Sequence, residues 1–70
     1  MQIPNTIALH LEKNALTQAA FARIIGVSQP TVAEWVNGNK RPAETALRKV
    51  AKALDMSPEA LLVEFYLPPA

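Results

Sequence analysis

The 70-residue sequence predicts an all-α fold, a compact bundle of about five short helices. Three observations predict it. Helix-capping residues recur at short intervals, apolar residues between them repeat at helical spacing, and β signals are weak. Half of the residues are hydrophobic, enough for a globular core and too many for a disordered tail. No linker, internal repeat or low-complexity tract divides the chain, so residues 1–70 read as a single domain.

Pro4-Asn5-Thr6 opens the first helix, and Ile7 and Leu11, with Ala8 at the margin, form its apolar face. It is expected to end near Asn14, a residue type that tolerates the left-handed conformation of a helix end. Thr17 caps a second helix through Ile25, with Ala20, Phe21, Ile24 and Ile25 as its core face and Gly26 as its stop. Ser28 caps a third, and Pro30 falls in its first turn, where a missing backbone N–H removes no intrahelical bond. That helix stops at Asn37-Gly38. After the loop Asn39-Lys40-Arg41-Pro42, a fourth helix from about Ala43 to Leu54 carries Leu47, Val50, Ala51 and Leu54 on one stripe and Arg48, Lys49 and Lys52 on the other. Ser57-Pro58-Glu59 combines a cap, an early proline and a first-turn acid, and starts a fifth helix with Leu61, Leu62 and Phe65. Pro68-Pro69 ends it.

A chain this short hides only about 60% of its unfolded surface on folding. It has no cysteine, so neither a disulfide nor a thiolate metal site contributes, which fits a reducing compartment. The amino terminus lacks the basic start and long apolar run of a secretory signal. The most apolar stretch, Ala60 to Ala70, is broken by Glu64 and two prolines, so no membrane span is expected. A cytoplasmic setting is the expectation. The formal net charge is +1, but its distribution is uneven. Up to Leu54 seven basic residues face three acidic ones, a net of +4; from Asp55 onward there are three acids and no base. One end of the molecule therefore suits a polyanion. A merely solvated set of charges is the competing reading, and it applies above all to Arg48, Lys49 and Lys52.

The stretch from Thr17 to Pro42 carries the functional signal, with the helix-turn-helix itself over residues 17–37. Two helices of about two turns are joined by Gly26-Val27-Ser28: the glycine supplies the turn, Val27 plugs the angle and Ser28 starts the second helix. In such a helix-turn-helix the second helix lies in the major groove of DNA, its first residues at the base edges. Gln29 stands at that tip, and its amide can donate to N7 and accept from N6–H of adenine. Pro30, Ala33 and Glu34 follow on the same exposed face. Pro30 and Ala33 can meet a thymine methyl, and Glu34 can accept from cytosine N4. Glu34 equally suits a salt bridge to Lys40 or Arg41. Thr31 either reaches a phosphate or caps locally.

The segment TQAAFARIIGVSQPTVAEWVNGNKRP resembles the lambda-repressor-like family, which includes phage repressors, Cro proteins and many bacterial regulators and antitoxins. Thr17, Gln18, Ala22, Gly26, Val27, Ser28, Val32, Trp35, Gly38 and Pro42 stand in register with that family's pattern, and Phe21 replaces its usual leucine. The tail TALRKVAKALDMSPEALL resembles the family's fourth and fifth helices, so the likeness runs from about Ile7 to Leu62. The resemblance implies a double-stranded DNA-binding transcriptional regulator of a bacterium or phage, probing a pseudo-palindromic operator as a homodimer. It places Gln18 at a helix start suited to a phosphate, and Asn37, Asn39, Lys40 and Arg41 where the family commonly grips the sugar-phosphate backbone. The family often carries longer amides or bases where this chain has Pro30 and Ala33, so direct base readout is thin.

Enzymatic chemistry finds no support: there is no Ser–His–Asp or Cys–His set, no glycine-rich phosphate loop, and the glutamates are spread over separate helix surfaces. His10 has no second histidine or cysteine with which to share a metal, and no cofactor is implied. Trp35 reads as core or boundary. An alternative function is an antitoxin or adaptor whose main partner is a protein. Phe65, Tyr66 and Leu67 motivate it, being too apolar for a free end: within the tail, residues 64–70, they either fold back, form a dimer face or bind a partner. Dimerisation is the preferred expectation.

Overall fold

Five helices follow one another through residues 5–66, the part of the chain that the computed structural model describes. Helix α1 spans Thr6–Lys13, α2 Gln18–Ile25, α3 Gln29–Asn37, α4 Glu44–Ala53 and α5 Pro58–Tyr66; no strand occurs among the described residues. Pro4 at one end and Leu67, Pro68 and Pro69 at the other lie outside them.

The expected caps are in place. The side chains of Asn5, Thr17 and Ser28 accept from the backbone N–H three residues on, Ala8, Ala20 and Thr31, and Ser57 does the same for Ala60 at 3.3 Å. Each such bond satisfies an N–H that the helix itself leaves orphaned. Helix α4 starts without one: Ala43 is its N-cap and offers no side-chain acceptor. Gly26 and Gly38 close α2 and α3 in the left-handed conformation.

Among the described residues no helix exceeds ten residues, too short to persist alone in water. Packing supplies the difference. Each helix sends one side chain to full burial: Ile7, Phe21, Val32, Val50 and Leu61 are all 0% exposed. Leu11, Ala22, Ile25, Trp35, Leu47 and Ala51 complete the buried cluster. Helix α2 packs against α3 and α4, α4 against α5, and α1 against α3. Val27 lies half-buried against the same cluster, at the angle between α2 and α3.

Two expectations need correction. Ile24 is 60% exposed, not core. The inward direction of α2 is set by Phe21, Ala22 and Ile25, and at 3.6 residues per turn Ile24 points roughly 100° away from their mean. Asn14 is not left-handed. It ends α1 with φ −103° and ψ 7°, and the positive φ falls on Ala15, at 53°. The Asn14 amide is occupied instead in donating to the His10 carbonyl at 2.9 Å, a bond that keeps it within the last helical turn.

Candidate nucleic-acid interface

The site begins at the turn. Gly26 has φ 89° and ψ 33°, a conformation that costs a residue with a Cβ, and its N–H donates to the Ala22 carbonyl at 2.7 Å while Val27 N–H donates to the same oxygen at 3.0 Å. The chain then re-enters a helix at Ser28. Its hydroxyl accepts from Thr31 N–H at 3.3 Å and lies 2.7 Å from the Thr31 hydroxyl. Thr31 thus takes part in the local cap, one of the two roles its position allows. With Ser28 so engaged, the first turn of α3 is held rigid and its outer side chains project from a capped end.

Gln29 and Pro30 are exposed and Ala33 and Glu34 half-buried, on the face of α3 opposite the buried Val32 and Trp35. The Gln29 amide has no hydrogen-bond partner among the described residues. At the other end of α3 the loop folds back on the helix: Asn39 N–H and Lys40 N–H both donate to the Glu34 carbonyl, at 3.0 and 3.3 Å. That return brings Lys40 Nζ within 3.6 Å of the Glu34 carboxylate, the ion pair anticipated as one of two roles for Glu34. Thr31, Glu34, Lys40 and Arg41 border one shallow hollow beside α3. Asn37 and Asn39 are exposed at the end of α3 and in the loop. Gln18, half-buried, is the first residue of α2 behind the Thr17 cap, and it joins the set only through the packing of α2 on α3.

A family model described as helix-turn-helix matches residues 7–61. The chain belongs to the lambda-repressor-like helix-turn-helix family. This is a family of DNA-binding transcription regulators rather than of enzymes. No curated protein and no solved structure gives a match. The matched span of this helix-turn-helix domain contains α2, α3, α4 and the loop between the last two, that is, every residue singled out above.

Three residues that shape this helix-turn-helix surface were not legible as such. Asn5 reads as a cap, yet its amide also donates to the Trp35 carbonyl at 2.6 Å, at the far end of α3. Glu64 accepts from both the backbone N–H and the hydroxyl of Thr6. Tyr66 donates its hydroxyl proton to the Pro42 carbonyl, while its ring lies under the guanidinium of Arg41. Phe65 and Tyr66 are half-buried against the core cluster, so for these two the fold-back alternative is the observed one. Leu67 lies outside the described residues. Among the described residues no helix is long and apolar enough to cross a membrane, and no three or more His, Cys, Asp or Glu side chains come together as a metal ligand set.

Proposed function

We propose that this chain is a sequence-specific regulator of the Cro or repressor type that sets the first turn of α3 into the major groove of double-stranded DNA. The observation that carries the reading is Gln29: an unengaged amide at the tip of a capped helix, with cationic Lys40 and Arg41 on the loop that returns beside the same helix. Gln29 reads adenine through its paired donor and acceptor, and Pro30 and Ala33 meet thymine methyls. Glu34 accepts from a cytosine amino group at the cost of repelling phosphate. Gln18, Asn37, Asn39, Lys40 and Arg41 grip the backbone, which fixes register without reading sequence.

Dimerisation belongs to the same proposal. A domain of this size buries too little surface for tight specific binding alone, and paired half-sites about 10 base pairs apart supply the remainder. Leu62 and Val63, 42% and 53% exposed, are the apolar side chains on α5 available to such a contact. The setting this implies is the cytoplasm of a bacterium, free or phage-infected.

Selection of bound sites from a pool of random duplexes, at one stated salt concentration, tests the reading. Enrichment of a pseudo-palindrome is expected. Absence of retention at low ionic strength from any pool rules out DNA binding, and retention without enrichment rules out specificity.

A further inference from the structure

The last turn of α5 is fastened to the loop that leaves α3. Tyr66 is joined to that loop twice, by its hydroxyl to the Pro42 carbonyl and by its ring face to Arg41, whose Cζ lies 4.3 Å from the ring centroid. Pro42 is itself fully buried, so the hydroxyl bond anchors the ring to a packed part of the chain. The two neighbouring cations of the loop are consequently treated differently. Lys40 faces a carboxylate at 3.6 Å, which offsets its charge. Arg41 faces an aromatic ring, which holds the guanidinium and leaves its charge intact.

We infer that Tyr66 is a positioning residue for a phosphate contact made by Arg41; the inference rests on the DNA-binding reading above. A guanidinium seated on a ring has one face covered, while its N–H donors lie in its own plane and stay open at the edge. That edge is the part which matches two phosphate oxygens at once. A free arginine must surrender its side-chain rotamers to make such a contact, whereas one already seated loses fewer, so the contact strengthens without any new bond. Tyr66 stands five residues beyond the end of the family match at residue 61, outside the span by which the chain is matched to the family. It also gives the end of α5 a task within a single subunit.

The test compares the full chain with Tyr66→Phe, Tyr66→Leu and Arg41→Ala in binding to one duplex over a series of salt concentrations, with circular dichroism of each. Arg41→Ala is expected to weaken binding roughly tenfold at low salt and to flatten log K against log salt by about 0.9, the loss of one phosphate. Tyr66→Leu should move toward both values, add little to Arg41→Ala in the double variant, and leave the oligomeric state unchanged. Tyr66→Phe, which keeps the ring, should recover most of the slope. If the wild type binds and Tyr66→Leu keeps its affinity and slope, the positioning role is overturned while DNA binding stands. If the wild type binds no duplex, both readings fall. Should Tyr66→Leu fail to fold, the upfield ring-current shift of the Arg41 side-chain protons in the wild type, measured with and without duplex, decides instead: retention in the complex is the expected result, and its loss overturns the inference.

Discussion

The side-chain amide of Asn5 donates to the backbone carbonyl of Trp35 at 2.6 Å, while its oxygen accepts from Ala8 N–H at 2.8 Å. One side chain therefore starts α1 and fastens it to the last turn of α3, thirty residues away. Separate bonds to the two atoms of a single amide fix its orientation, and through it the angle at which the far end of α3 is held.

The two bonds separate by substitution. Asn5→Ser keeps a capping oxygen and loses the bridge, and it is expected to destabilise the fold by about 1 kcal/mol. Asn5→Ala loses both, at about 2 kcal/mol in all. In a domain of this size each kcal/mol lowers the melting temperature by roughly 4–8 °C. Thermal unfolding that finds serine as stable as asparagine removes the bridge from the account.

Glu34 and Lys40 form an exposed pair, with side-chain exposures of 38% and 69%, so breaking it should alter stability by less than about 0.5 kcal/mol. Its consequence lies in binding. Glu34→Gln releases Lys40 toward the phosphates and removes a repelling charge, so every duplex should bind more tightly, with a salt slope steeper by up to about 0.9. Titrations at several salt concentrations that return the wild-type slope would show that Lys40 is already free to reach DNA.

Reading and gripping residues part company under selection. Gln29→Ala is expected to lose about 1–3 kcal/mol of discrimination at one base position and to leave the others intact. Lys40→Ala should weaken all sites by a common factor. A uniform loss from the glutamine variant, or a position-specific one from the lysine variant, would reverse these roles.

Gly26 and Ala15 both have positive φ, 89° and 53°, and they test backbone strain from opposite directions. A Cβ on Gly26 meets nothing within 4 Å, so Gly26→Ala reports conformational strain free of crowding, with an expected loss of about 1 kcal/mol. Ala15→Gly relieves a strained residue at the cost of a more flexible unfolded chain, for a net gain of roughly 0.5 kcal/mol. Denaturant midpoints of the two variants should therefore move in opposite senses.

Much of the fold was legible because its signals are local. A cap acts on a backbone N–H three residues away, a left-handed glycine acts on its own turn, and an apolar stripe repeats with the helix period, so all five helices and the turn at Gly26-Val27-Ser28 can be read along the chain. Ile24 escaped because an apolar residue at the margin of a stripe has the same periodicity whether or not a neighbouring helix covers it. The positive φ at Ala15 escaped because the residue type disfavours it; packing of the following helix decides that the chain must turn there. The face bearing Gln29, Pro30, Ala33 and Glu34 followed from position on one helix, but which partner Glu34 takes did not.

The sequence by itself determined the class of this protein: five capped helices, a glycine-turned pair at their centre, and membership of a DNA-binding family, each resting on residues within a turn or two of one another. Only the tertiary structure decided how the recognition surface is held. Asn5 reaches Trp35, Glu64 reaches Thr6 and Tyr66 reaches Arg41 and Pro42 across 24 to 58 residues, and no local pattern encodes such pairs. Their physical origin is the shared core, which draws buried side chains from every helix and thereby packs α1 against α3 and α5 against α4.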